Sequence, residues 1–146
     1  MARLLASSMT SDPPTFTWPA RVYWEDTDAG GVVYYANYLK FLERARTEWL
    51  SQLGLEQDEL AEGAGLLFVV RRVETDYLRP ARFNDRLTTH CALAEMQRAS
   101  LVMTQRITRA TEDLLVARVR LACVARRDFR PIRIPDFVTR AFGIGL

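Results

Sequence analysis

Histidine and lysine are almost missing from this chain: His90 and Lys40 are single among 146 residues, and cysteine occurs only twice. With one imidazole, a Ser-His or Cys-His couple would have to be built around His90. That residue falls on an expected strand between Thr89 and Cys91 and reads as a histidine facing solvent or a second subunit. Cys91 and Cys123 sit in apolar alternating runs, where a cysteine is ordinarily a small buried hydrophobe rather than a ligand or a bridge. A reducing compartment, the cytoplasm, is therefore expected. No carboxylate spacing argues for a metal site. G-x-S-x-G, P-loop, G-x-G-x-x-G and H-E-x-x-H motifs are all absent, so neither a metal nor an organic cofactor is called for. No apolar run approaches the ~18 residues of a spanning helix, and the opening Met1 to Ser8 has too short an apolar block for a secretory signal. Charge of one sign is lacking too. Twenty cations face eighteen anions for a net charge of +2, which excludes nucleic acid as a main partner.

What is present is a 49% hydrophobic chain of a length that can bury one core without disulfides. Residues 1–17 lack periodicity and read as a flexible tail, leaving 18–146 as a single domain. Arg21-Val22-Tyr23-Trp24-Glu25 alternates as a short first strand, stopped by the turn residues Asp26-Thr27-Asp28-Ala29-Gly30-Gly31. From about Tyr35 to Leu53 the period becomes helical, with Tyr38, Phe41, Leu42, Ala45, Trp49 and Leu53 on one stripe, an Arg44 to Glu48 pair off it, and Gly54 as a left-handed cap. Four extended segments follow, at roughly 66–79, 85–95, 100–110 and 114–127, and a short helix is expected over Pro135 to Phe142. The short breaks between these strands suit an antiparallel meander. A five-stranded sheet with one amphipathic helix to cover it should curl around that helix, which is the α+β hotdog architecture. Long strands with an open edge also invite pairing with a second copy, so a homo-oligomer is expected.

The chemistry that remains is a carboxylate cluster, Glu25, Asp26 and Asp28, feeding through a double glycine into the main helix. A helix start offers unpaired amides and partial positive charge that can polarise a carbonyl oxygen. A carboxylate facing those amides could attack the carbonyl or activate a water. Thioesters suit such an apparatus, because a thiolate leaves with little help from an acid. Asp26 and Asp28 could equally bond turn amides and cap the helix. The residue chemistry alone leaves both readings open.

The stretch from Arg21-Val22-Tyr23-Trp24-Glu25-Asp26-Thr27-Asp28-Ala29-Gly30-Gly31 through Glu43-Arg44-Ala45-Arg46-Thr47-Glu48 resembles the signature of the Tol-Pal-associated, YbgC-type acyl-CoA thioesterases, and more distantly that of the hydroxybenzoyl-CoA thioesterases. The resemblance continues through Phe68-Val69-Val70-Arg71, Tyr77, Pro80-Ala81-Arg82 and Thr104-Gln105-Arg106-Ile107. It implies hydrolysis of short- to medium-chain or aromatic acyl-CoA, with Asp28 as nucleophile or general base and the amide of Tyr35 as the donor to the thioester carbonyl. Asp26 is then structural. Many members carry histidine where this chain has Tyr35, so a role for the amide carries over and a role for an imidazole does not. Activity is accordingly expected to rise with pH through one carboxylate ionisation, with no histidine-like limb. Gly31, Arg71, Arg72 and Arg82 are candidates for substrate binding, with Arg126 and Arg127 as further cations by type, while Phe41, Trp49 and Phe68 could line an acyl tunnel or simply form core. The resemblance also implies a tetramer, a dimer of dimers with sites near subunit contacts, and it leaves acyl carrier protein open as an alternative donor. Two rivals stand beside this reading: a hydratase or dehydratase of acyl thioesters, which the scarcity of histidine disfavours, and a non-enzymatic acyl-binding or scaffold protein of the cell envelope.

Overall fold

The computed structural model describes residues 13–144. Five strands, β1 (Thr15–Arg21), β2 (Leu66–Tyr77), β3 (Arg86–Met96), β4 (Ser100–Arg109) and β5 (Glu112–Ala125), form one antiparallel sheet. The long helix α1 (Tyr38–Gln52) packs into it. A helical turn, α2 (Gln57–Glu59), runs into a π turn at Leu60–Ala64, and α3 (Asp136–Ala141) closes the chain, with Pro135 just ahead of it. The hotdog architecture expected from the periodicities is present. Gly54 takes φ +80° after the helix, as its position suggested.

Three local expectations are corrected. The first strand is Thr15–Arg21, so it begins inside the stretch read as tail and ends where the strand was expected to start; residues 1–12 of that tail lie outside the described residues. Pro19, which has no N–H to give, is tolerated because β1 is an edge strand. Secondly, the spatial order is β1-β3-β4-β5-β2, so only β3, β4 and β5 form a meander. β2 lies at the far edge beside β5, because Leu78–Asp85 is a crossing and not a hairpin. Its backbone bonds go elsewhere: Leu78 and Arg79 to Leu114 O, and Val22 and Asn84 to each other's strand ends through Val22 N–H to Asp85 O and Asn84 N–H to Val22 O. Thirdly, Arg44 makes no ion pair with Glu48 among the described residues; its guanidinium lies 6.0 Å from the centre of the Phe41 ring.

The core gathers the inward face of α1, namely Tyr38, Phe41, Leu42, Ala45, Trp49 and Leu50, against the alternating residues Leu87, Cys91 and Leu93 of β3 and Met103 and Ile107 of β4. Trp49, 1% exposed, packs edge-on against Phe142 at 5.2 Å and stacks with Phe16 of β1. Phe41 and Trp49 are thus core residues. One charged side chain enters this layer: Arg46 donates to Gln105 Oε1 at 2.9 Å, and Gln105 Nε2 donates to Leu42 O at 3.0 Å. No described helix is long and apolar enough to cross a membrane.

Candidate active site

The turn between β1 and α1 is a small hairpin closed by the Thr27–Val33 bridge. Asp28 N–H donates to Val32 O at 2.9 Å, Gly31 N–H to Asp28 O at 2.9 Å, and Gly30 N–H to Asp28 Oδ1 at 2.8 Å. One carboxylate oxygen is thus held by a backbone amide. The other has no protein partner among the described residues, and the side chain stands at the surface. The two glycines serve different ends. Gly31 has φ +79°, a region a side chain makes costly, and a Cβ on Gly30 would sit 3.2 Å from Asp28 Oδ1.

Asp26 is built the other way. It is buried, its Oδ2 accepts Tyr23 N–H at 2.8 Å, and its carbonyl accepts Tyr34 N–H at 3.0 Å and Asn37 Nδ2–H at 3.0 Å. It ties the end of β1 to the entrance of α1. That entrance is a 3-10 turn, Tyr35–Asn37, running directly into the α-helix. Asn37 N–H closes it by donating to Tyr34 O at 2.8 Å, while the N–H groups of Tyr35 and Ala36 have no partner in the protein among the described residues. Two adjacent free amides at the positive end of a helix are suited to an oxyanion. The Tyr34 phenol, whose ring lies 4.8 Å from that of Tyr35, is raised above its ordinary value, first by Tyr35, then by slight burial and by the charge of Asp28.

The crossing segment completes the site. Val32 bridges Arg82, and Val33 N–H donates to Ala81 O at 2.9 Å, so Arg82 is carried to the rim of the turn with its side chain exposed. The other cations are spread out. Arg71 occupies the bulge of β2, and Arg72 pairs with Glu74 at 3.5 Å on that same edge strand. Arg126 and Arg127 follow β5 next to Leu66, at the opposite end of β2 from Tyr77. Within one chain they are at the wrong end of the sheet for this site. Between α1 and β2 runs a groove of about 440 Å³, with Leu39, Leu42, Val70, Val73 and Val119 on its walls and Arg46 among its lining. Phe68 lies at the start of β2, partly buried against the core and not in the groove. The feature not anticipated from the sequence is Tyr77, whose hydroxyl donates to Tyr35 O at 2.9 Å. An aromatic residue at the last position of a strand, directly before the loop that reaches the turn, was the available signal.

An antiparallel sheet of five strands packed around one long helix defines a hotdog protein. The comparisons agree: the model of the thioesterase-like superfamily matches residues 22–142. Within that superfamily the chain belongs to the YbgC acyl-CoA thioesterases. It is 44% identical over 127 residues to the acyl-CoA thioesterase YbgC of Haemophilus influenzae, covering 87% of this chain and 93% of that one. It matches the crystal structure of a probable thioesterase from Bartonella henselae with a TM-score of 0.79 at 38% identity, over 83% of this chain and 99% of the other. A 4-hydroxybenzoyl CoA thioesterase mutant in complex with 4-hydroxybenzoyl CoA shares the fold, with a TM-score of 0.81 at 21% identity over 86% of this chain and 96% of the other.

Proposed function

We propose that this chain hydrolyses acyl-CoA thioesters to free acid and coenzyme A, with Asp28 as the reacting carboxylate and the Tyr35 amide as donor to the thioester oxygen. The observation that carries the assignment is an Asp28 oxygen without a partner among the described residues, on a turn whose Thr27–Val33 bridge leads straight into the helix start with its free Tyr35 N–H. Attack by the carboxylate on the carbonyl carbon would give an acyl anhydride and expel coenzyme A thiolate, after which water frees the acid. As a general base, the same carboxylate would instead take a proton from the attacking water. Either way the negative charge that develops on the thioester oxygen meets the helix amides. Asp26, buried and bonded to Tyr23 N–H, holds the turn.

Arg82, at the rim, is the cation best situated for the phosphates of coenzyme A, and Gly31 keeps the backbone low where the substrate passes. Arg71 and Arg72 would contribute from β2. The apolar groove beside α1 offers room for a short- to medium-chain or aromatic acyl group. Acyl carrier protein is an alternative thioester donor. β2, long, free of proline and bearing the exposed Val70 and Val73, is the edge on which a second copy would pair, on the way to a tetramer. The family likeness supports a cytoplasmic place next to the Tol-Pal system. The scaffold reading has no support from the relatives named above, which are named as enzymes.

Thiol release from short, medium, long and aromatic acyl-CoAs, measured for the native chain and Asp28→Asn, tests the proposal. Turnover lost in the variant, with the oligomer intact by light scattering, is expected. Retained turnover in Asp28→Asn would reject the assignment, and no release from any member of the panel would reject the activity.

A further inference from the structure

Resting on the reading of Asp28 and the Tyr35 amide, we infer that Tyr77 is a positioning residue for the hydrolysis, holding and polarising the peptide unit that supplies the second free amide, that of Ala36. The Tyr77 hydroxyl donates to Tyr35 O at 2.9 Å. That carbonyl and the Ala36 N–H are the two ends of one planar peptide. A proton donated to the oxygen therefore fixes the direction of the N–H and makes it a stronger donor, since hydrogen bonds in series polarise one another.

The neighbouring amides show why this unit matters. Tyr34 N–H is committed to Asp26 O and Asn37 N–H to Tyr34 O, whereas Tyr35 and Ala36 between them are free. Besides the bonds of Tyr34 and Asn37 to Asp26 O, the free pair is steadied from outside the helix at two points. One runs through Tyr38, whose buried hydroxyl accepts Ala81 N–H at 3.0 Å, while Ala81 O accepts Val33 N–H. The other is Tyr77 alone. It is the last residue of β2, registered opposite Leu115, and its ring meets those of Tyr38 at 5.5 Å and Tyr35 at 6.3 Å edge-on. Burial, Tyr35 and Tyr38 raise its phenol above the ordinary value, so it stays a donor through the neutral range. The Tyr35 carbonyl lies where water could satisfy it, so the fold does not require this hydroxyl; the ring packing would survive in phenylalanine. The hydroxyl touches no reacting atom, and its effect passes through the peptide.

The test is Tyr77→Phe, assayed beside Asp28→Asn on an acyl-CoA that the native protein turns over, with the Ala36 amide followed by NMR in labelled protein. The expected result is a roughly 3- to 10-fold fall in kcat, the scale of one hydrogen bond. KM and melting temperature should stay near native, and the Ala36 amide proton should shift upfield. Native kcat with an unmoved Ala36 resonance would overturn the inference, as would a loss confined to KM. If Asp28→Asn keeps full turnover, the catalytic reading fails; the Ala36 resonance still decides whether Tyr77 polarises that peptide.

Discussion

Arg46 meets Gln105 across the helix–sheet layer, guanidinium Nη1 to amide Oε1 at 2.9 Å, with no carboxylate in salt-bridge range among the described residues. Burial, the largest influence, lowers the affinity of this guanidinium for its proton. A buried cation with one neutral partner is held at a cost, and removing that partner is worse than removing both. Gln105→Leu should therefore destabilise the fold by roughly 2–4 kcal/mol, and Arg46→Met with Gln105→Leu should recover most of that loss. Urea unfolding of the single and double variants measures it. A double variant no more stable than Gln105→Leu would show that the pair is not coupled.

Asp26 and Asp28 are two residues apart and each has one carboxylate oxygen held by a backbone amide, but the first is buried and the second stands exposed. Asp28→Asn should abolish thiol release while leaving stability nearly native, whereas Asp26→Ala should lower stability by roughly 1–3 kcal/mol, the cost of the part-buried amide of Tyr23 losing its acceptor. Gly30→Ala, whose Cβ would stand 3.2 Å from Asp28 Oδ1, should cost activity by displacing that carboxylate more than it costs stability. The assignment of roles would be reversed if Asp26→Ala were a stable, inactive protein and Asp28→Asn an active one.

The periodicities made the helix and four of the strands legible, because amphipathic residues announce their element directly. The place of β2 was not legible. A break of Pro80 to Asn84 fits a hairpin as well as a crossing, and only the bonds of Leu78–Asp85 to Leu114, Val22 and Val33 decide it. β1 was misplaced because Pro19 interrupts its alternation, although a proline on an edge is harmless. The signal for a buried partner such as Arg46 lies in the strand: glutamine stands at an inward position in Leu101, Met103, Gln105, Ile107, and such a residue needs a buried polar partner. The candidate aspartate was visible from its turn, but its separation from Asp26 in role depends on burial, which leaves Asp28 at the surface and puts Asp26 inside.

Cys91 and Cys123 are both buried, and burial pushes each thiol up to about 11. The thiolate is the reactive form. Neither should be modified by a thiol reagent in the native protein at pH 8, and both should react once the chain is unfolded. Rapid labelling of one cysteine in the folded protein would show that its strand opens.

His90 bonds Thr108 Oγ1 at 3.0 Å on neighbouring strands, and burial, then the charge of Arg106, lowers its pKa from the ordinary 6.5, with Asp113 opposing. A histidine with a lowered folded value takes up its proton more readily in the unfolded chain. Its contribution to stability is therefore fully present above the unfolded value near 6.5 and is lost as pH falls from there through the folded value. His90→Gln should flatten the decline in melting temperature between pH 7 and 5 relative to the native chain. Its pH profile of thiol release should coincide with the native one, because the only imidazole in the chain is engaged with Thr108 and not with Asp28. A profile that changes shape on removing His90 would give that residue a part in the reaction and would require a path from β3 to the turn.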